Sequence, residues 1–337
     1  MLTKPDISDD AVVSVLNGFG LRSAELSFLP SGDANSAVYR VTTDDRARYV
    51  LKSRCGDFDE IAATVPAWLY SRGLLRVMAP IRTTANQLWI HAHGFDWMLY
   101  PFFDGKNAFE RPLSKSQWTA LGETIREVHA ITLPPNLARR VPRESYSPRN
   151  RTIVKALDSQ LDRRSFDNPV AAQLAAFWMS KRGEIQSMVE RAEQLEQKTQ
   201  QQAASFVLCH SDLHAGNVLV GADNQLTIVD WDNPIFAPKE RDLMFVGGGI
   251  GGSWNDPRES EWFFTGYGPA EIDPIAIAFY RYERIVVDIA EYGQRIFDPK
   301  GTPGDQQSDL RKLARESARP LAPHAARGGR PDLTRDS

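Results

Sequence analysis

Cysteine is scarce in this 337-residue sequence: only Cys55 and Cys209 are present, too few and too far apart for a disulfide framework, so a reducing compartment is expected. Long apolar runs are missing as well, none approaching the roughly 18 residues that a membrane span needs. The first ten residues, MLTKPDISDD, lack the apolar core of a secretory signal. A cytoplasmic chain without a membrane partner is the expectation. Charge of one sign is not in excess either. The 43 acidic and 40 basic residues leave a net −3, with no basic run interleaved with aromatics, which argues against a nucleic-acid partner. A dinucleotide-binding G-x-G-x-x-G after a strand is also absent; the nearest approach, GGGIGG at residues 247–252, opens no βαβ unit and reads as a loop.

What is there is ample core material, 42% hydrophobic and 10% aromatic, enough for about two domains at this length. The pattern has two regimes. From about residue 24 to 103 it is strand-like: AELSFL, SAVYRVTT turning through DDRA into RYVLKS, then VMAPIRT, QLWIHAH and DWMLYPFF, interrupted by one helical stretch, DFDEIAATVPAWLYSRG. From Ser114 to about Phe297 it is mostly helical, as in SKSQWTALGETIREVHAI, where Trp118, Leu121, Ile125 and Val128 recur at helical spacing. This predicts an α+β protein: a small sheet domain over residues 1–102 and a larger helical domain over 103–299. Residues 300–337 carry four prolines, four glycines and no aromatic residue, and read as a disordered tail.

Chemistry concentrates in CHSDLHAGN, residues 209–217. After Asn217 come VLV, the turn-forming GADNQ and LTIVD, two short strands of one hairpin. With Val220 opposite Thr227, Asn217 falls opposite Asp230, and cross-strand neighbours lie about 5 Å apart at Cβ. An amide oxygen and a carboxylate at that spacing suit one hard cation, such as Mg2+. Asp212, on the loop entering the hairpin, is placed to orient or deprotonate an attacking hydroxyl. His210 and His214, four apart, resemble a zinc pair, but no third ligand cluster accompanies them. Structural roles holding Asp212 by loop hydrogen bonds are expected for both. His91 and His93 alternate along QLWIHAH and are expected on one solvated strand face.

H-x-D-x-x-x-x-N followed by a hairpin ending in aspartate is the catalytic core of phosphoryl transfer by kinases. HSDLHAGNVLV with IVDWD resembles the aminoglycoside phosphotransferase and choline kinase superfamily. VDWDNPIFAPKERDLMFVGGGIG and YRYERIVVDIAEYGQ extend that resemblance toward its spectinomycin-modifying branch. The resemblance implies a two-lobed, protein-kinase-like fold with a nucleotide-binding N-lobe, ATP and Mg2+ as cofactors, and transfer of phosphate to a hydroxyl of a small cationic aminocyclitol. A monomer is expected. A protein kinase is not, since D-F-G and A-P-E are both missing. Kinases of choline, methylthioribose or other aminoglycosides, and a catalytically inactive nucleotide-binding module, are the rival readings.

In this frame RYVLKS is the strand form of V-A-I-K, with Lys52 aimed at the phosphates and Glu60, at the head of the following helix, as its ion-pair partner; Asp59 is the alternative, and Pro66 interrupts the helix. PSGDANSAVYRV stands in the place of the phosphate loop, its backbone around Ser31, Asp33 and Ser36 covering the phosphates. Val38 and Met98 would line the adenine pocket, with the chain through Tyr100 and Phe102 along the adenine edge. Asp242, in KERDL, matches the buried aspartate that braces the catalytic loop. For the acceptor, Trp254, Tyr267, Glu283, Asp288 and Glu291 are the candidates. Glu283 and Glu291 are expected to carry the anionic side, because Arg284 lies four residues before Asp288.

Overall fold

The structure is a computed structural model that describes residues 7–30, 36–56, 58–161, 168–202, 204–222, 225–248, 253–297 and 303–317. Two compact units emerge, one of Met1–Ser147 with Ala203–Glu271, the other of Pro148–Gln202 with Ile272–Ser337. The N-terminal sheet and the segment carrying CHSDLHAGN thus share one unit, a grouping that crosses the sequence-based boundary at residue 102.

The first unit begins with helix α1 (Asp9–Gly18), which the sequence reading missed. Ser8 caps it, accepting the Ala11 N–H at 3.2 Å, and Asp9 and Asp10 sit at its positive end. Its buried stripe is Val12, Val15 and Leu16. That stripe packs with Tyr39, Leu51, Trp97 and Leu99 from an antiparallel five-stranded sheet of order β1-β2-β3-β5-β4. The strands are β1 (Ser23–Leu29), β2 (Ser36–Thr43), β3 (Arg48–Arg54), β4 (Ile90–Ala92) and β5 (Phe95–Pro101). Strand period two does the sorting. Ala37, Tyr39 and Leu51 face α1, so their neighbours Val38, Lys52 and Arg54 face the other way. Register then aligns Val38, Lys52 and Met98 in one row across β2, β3 and β5.

Two expected strands are shorter than read. VMAPIRT makes only isolated bridges, Val77 to Ile228 and Ile81 to Leu99, because Pro80 has no N–H to give a ladder. QLWIHAH is a strand only over Ile90–Ala92. His93 already turns at φ 54°, so His91 and His93 do not share a strand face; His91 pairs with Asp96 at 2.9 Å, and His93 meets Ser14 Oγ at 3.2 Å. The expected helix is α2 (Ile61–Ser71), which runs through Pro66.

Further along the first unit, β6 (Gly105–Asn107), β8 (Val218–Gly221) and β9 (Leu226–Ile228) form a three-stranded sheet of order β6-β8-β9. Strand β7 (Phe206–Cys209) pairs with β10 (Ile235–Pro238). Helix α3 (Lys115–Ala130) starts in a Ser114/Gln117 capping box, and α8 (Pro257–Tyr267) in an Asp256/Glu259 box. These two helices touch backbone to backbone. A Cβ on Gly122 would lie 2.1 Å from Phe263 O, and one on Gly266 would lie 1.9 Å from Thr119 O. Two short helices, α4 (Pro135–Ala138) and α7 (Glu240–Leu243), complete this unit.

The second unit packs α5 (Arg149–Leu161), α6 (Pro169–Gln200), α9 (Pro274–Phe297) and α10 (Pro303–Ser317) around Leu174, Trp178, Val286, Ile289 and Ala290. Helix α10 corrects the expected tail. Gln306, Leu310 and Leu313 recur at helical spacing and are buried, and Asp309 meets Arg295 at 3.0 Å. Absence of aromatics hid that stripe. Residues 318–337 lie outside the described residues.

Candidate active site

The site grows from a buried carboxylate. Asp242, on α7 and fully buried, accepts the His210 N–H at 2.9 Å and the Ser211 N–H at 2.7 Å, and its other contact is His129 Nε2 at 3.1 Å. His129 Nδ1 lies 2.8 Å from the Tyr267 hydroxyl. Burial pushes the Asp242 pKa up, but hydrogen bonding from His129 and the neighbouring histidines outweigh it and hold the acid below the ordinary value. As a carboxylate it can fix a loop that needs fixing. Ser211 sits at φ 74°, a left-handed conformation that costs a non-glycine residue of the order of 1 kcal/mol.

That loop presents Asp212. Its N–H donates to His210 Nδ1 at 3.2 Å, His210 Nε2 in turn donates to Val229 O at 2.9 Å, and Asn217 Nδ2 donates to Asp212 O at 2.8 Å. Both backbone groups of Asp212 are thereby held. His214 meets Asp212 through its backbone, its N–H donating to Asp212 O at 2.9 Å, while its ring serves the turn instead: Nδ1 accepts the Gly216 N–H at 2.9 Å across Ala215–Asn217.

The hairpin register differs from expectation by one residue. Leu219 pairs with Thr227, so Asn217 faces Val229, whose N–H donates to Asn217 O at 2.9 Å. Asp230 is one residue further and reaches the site by a left-handed turn at φ 66°. Buried Trp231 anchors that turn, donating Nε1–H to Ile228 O at 3.3 Å and meeting His210 edge to face at 4.7 Å. Asp230 and Asp232 emerge on either side of Trp231. Lys52 Nζ donates to Asp230 Oδ1 at 2.6 Å and to Asp232 Oδ2 at 2.8 Å, and Arg54 Nη1 to Asp232 Oδ2 at 2.7 Å.

Two cations two apart on one strand face thus meet two anions. Burial works against the Lys52 ammonium, yet Asp230 and Asp232 raise its pKa above the usual lysine value. Burial likewise opposes the Asp230 carboxylate, and Lys52 overcomes this, holding it down to about 2. Asp232 is pushed up, by burial and by the charge of Asp230. Tyr100, on the same sheet face as Lys52, has its phenol pushed up by burial and donates to Met98 Sδ at 3.3 Å.

Lys52, Asp212, Asn217 and Asp230 all fall in this one unit, with Lys52 on Asp230 and Asn217 on Asp212. Glu60 does not pair with Lys52: it ends beside Arg140 in an ion pair, while two aspartates occupy the ammonium. Ser31 and Asp33 lie outside the described residues, as do residues 249–252 of GGGIGG. Ser36 is buried and ties β2 to β3 by donating to Ser53 O at 3.2 Å. Val38 is half-buried, Met98 is sealed against Ala63 and Leu88, and Phe102 carries the Arg48 guanidinium 4.4 Å over its ring.

The acceptor candidates are occupied in ways sequence did not foresee. Trp254 is buried edge to face on Trp118 at 5.0 Å, and Tyr267 is held by His129. Glu283 is not left to a ligand: Arg151, 1% exposed, reaches it at 3.3 Å and also pairs with Glu196. Asp288 meets Arg284 at 3.2 Å, as expected, and Glu291 is exposed. Sequence reasoning missed Asp232, Arg54, His129 and Arg140. The D-W-D and K-x-R spacings carried a signal for the first two.

Comparison with curated protein sequences returns no significant match. Residues 25–278 match the family described as "Phosphotransferase enzyme family". Among solved structures, spectinomycin phosphotransferase APH(9)-Ia in complex with ADP and spectinomycin is 34% identical, with a TM-score of 0.85 over 93% of this chain and 95% of that one. Its AMP-bound complex is 32% identical, TM-score 0.82, covering 92% and 95%. An amicoumacin kinase bound to AMP-PNP and Ca2+ shares the fold at 17% identity, TM-score 0.61, covering 94% and 96%. The expected kinase-like α+β architecture therefore holds, and the chain belongs to the APH phosphotransferase enzyme family, enzymes that phosphorylate hydroxyl groups.

Proposed function

We propose that this enzyme transfers the γ-phosphoryl group of ATP to a hydroxyl of an aminocyclitol antibiotic, spectinomycin, and so confers resistance to it. The observation that carries the reading is the 34% identity to a spectinomycin phosphotransferase across 93% of the chain. We assign the nucleotide to the lobe of residues 1–102 and the acceptor to residues 103–299, in a cytoplasmic monomer. Among the described residues, no helix is long and apolar enough to cross a membrane.

Asp212 is the base that orients the acceptor hydroxyl and receives its proton as the oxygen bonds to the γ-phosphorus and the bond to the bridging oxygen of ADP breaks. Lys52 positions the phosphates. Asn217 and Asp230 suit a magnesium ion: both offer oxygen, Lys52 keeps Asp230 ionised, and because Asn217 Nδ2 is spent on Asp212 O, its Oδ1 is the atom turned elsewhere. Bound there, magnesium would neutralise charge developing on the phosphoryl oxygens. Lys52 can serve phosphates only by loosening two carboxylates, so nucleotide and metal entry are interdependent.

Incubating the chain with Mg-ATP and a panel of aminocyclitols tests the substrate. Spectinomycin gains one phosphate in mass; if another amino alcohol is modified readily and spectinomycin is not, the substrate assignment is wrong. Loss of every acceptor together with retained nucleotide binding would favour the inactive-module reading.

A further inference from the structure

His214 has work beyond capping its turn. Because its Nδ1 accepts the Gly216 N–H at 2.9 Å, that nitrogen carries a lone pair and the ring proton of the neutral imidazole sits on Nε2. Nε2 lies 3.6 Å from Asp212 Oδ2. That is beyond hydrogen-bond length by less than 1 Å, the kind of gap that closes when a catalytic site fills. The ring is not loose. Phe109 stacks on it at 5.8 Å and 30°, and Phe245 meets it edge-on at 6.1 Å. Gly216 makes room for this arrangement: a Cβ there would stand 2.6 Å from His214 Cε1 and 3.1 Å from Phe109 Cε2. Aromatic packing therefore holds the ring with Nε2 on the side of the Asp212 carboxylate.

We propose that His214 is a positioning residue for phosphoryl transfer, its Nε2–H holding the Asp212 carboxylate in the rotamer that meets the acceptor hydroxyl. This rests on Asp212 being the base. The backbone of Asp212 is fixed by His210 and Asn217, but its χ1 and χ2 torsions set where the reacting oxygen points. With Oδ2 held by His214, the other oxygen is oriented toward the hydroxyl proton. Orientation of this kind is worth a large factor in rate: a misplacement of about 1 Å costs on the order of 100-fold.

Two substitutions separate the two ring nitrogens. In His214→Asn the amide oxygen still accepts the Gly216 N–H, but no donor from position 214 reaches the Asp212 carboxylate. In His214→Gln the amide nitrogen occupies the Nε2 position and keeps a donor toward Asp212. Expected is a fall in kcat of roughly 10- to 100-fold for His214→Asn with the KM for ATP unchanged, and recovery to within about 5-fold of wild type for His214→Gln, while the loss of melting temperature from the missing ring contacts is the same in both variants. In an Asp212→Asn background, His214→Asn costs less than about 2-fold more, since its target is already altered. A wild-type kcat in His214→Asn, a Gln variant as poor as the Asn variant, or an additive loss in the double variant overturns the proposal. An acceptor-independent reading comes from the imidazole 15N resonances of the full chain. Nε2 carries the proton and its resonance moves in Asp212→Asn; a protonated Nδ1 refutes the idea. If wild type ignores spectinomycin but modifies another amino alcohol, only the substrate assignment falls, and the same variants are compared on that acceptor.

Discussion

Replacing Gly266 by alanine puts one methyl group into the backbone contact between α3 and α8. That Cβ would lie 1.9 Å from Thr119 O, 2.7 Å from Thr119 C and 3.0 Å from Glu123 N, all backbone atoms that no rotamer change can move aside. The helices must separate, and such overpacking costs about 1–3 kcal/mol. Alanine's better helix propensity returns up to ~1 kcal/mol. Separation also stretches the buried Tyr267 to His129 hydrogen bond, now 2.8 Å, worth ~1 kcal/mol. The net loss is about 2 kcal/mol, a fall in melting temperature of roughly 4–8 °C for a unit of this size. Because Tyr267 and His129 stand behind Asp242, which holds His210 and Ser211, kcat falls as well. The control is Gly183→Ala on α6, an exposed helical position where a Cβ meets nothing within 4 Å. There the same substitution stabilises by up to ~1 kcal/mol. Thermal melts of the two variants, with kcat measured at 25 °C, decide the matter. A Gly266→Ala protein melting at or above wild type refutes the close-packing argument.

Other outcomes follow from the site itself. Asp212→Asn lowers kcat by roughly 10²- to 10⁴-fold while nucleotide binding, followed by calorimetry, persists; normal turnover would remove Asp212 from the base role. Asp230→Ala abolishes turnover at every magnesium concentration, and Asn217→Ala is milder because a neutral amide contributes less to a hard cation; an Asp230 variant with wild-type magnesium dependence contradicts the metal assignment. In the nucleotide-free chain, Asp230 is depressed from 3.8 to about 2, so its contribution to stability is present above about 4 and lost as pH falls toward 2. Urea midpoints of wild type and Asp230→Asn should converge across that window, and a constant gap would show that the Lys52 pairing adds nothing to the fold.

The placement of Lys52, Asp212, Asn217 and Asp230 in one unit, Lys52 on Asp230 and Asn217 on Asp212, was legible because each is tied to local geometry: a strand period, a loop of fixed length, a hairpin. Even so, the register was read one residue out. The sequence shows where GADNQ turns, but Val229 N–H bonding to Asn217 O, with Asp230 turned left-handed beyond it, depends on Trp231 packing under the loop. Helix α1 and helix α10 were overlooked for a related reason. Each buries a narrow stripe, Val12, Val15 and Leu16 in one and Leu310 and Leu313 in the other, among polar residues that dominate any average over the window.

Charge partners were the least legible, and the reason is physical. Glu60 looked free to meet Lys52, as Glu283 looked free to meet a ligand, because sequence shows a charge without showing which distant charge the fold brings beside it. Arg140 lies 80 residues from Glu60, and Arg151 lies 132 from Glu283. Burial decides such pairings: a guanidinium 1% exposed, as Arg151 is, cannot remain without carboxylates, so once α5, α6 and α9 pack, Glu196 and Glu283 are committed to it. The cluster around Lys52 obeys the same rule with a different result. Lys52 and Arg54 lie two apart on one strand face, and Asp230 and Asp232 two apart around a buried tryptophan, so the four charges balance within hydrogen-bond distance. Asp230 keeps 43% of its side chain exposed, whereas Asp232 keeps 13%. Of the two carboxylates on Lys52, Asp230 is therefore the more open to solvent and Asp232, gripped also by Arg54, the more enclosed, so under the proposed metal assignment it is the Asp230 pairing that would loosen first.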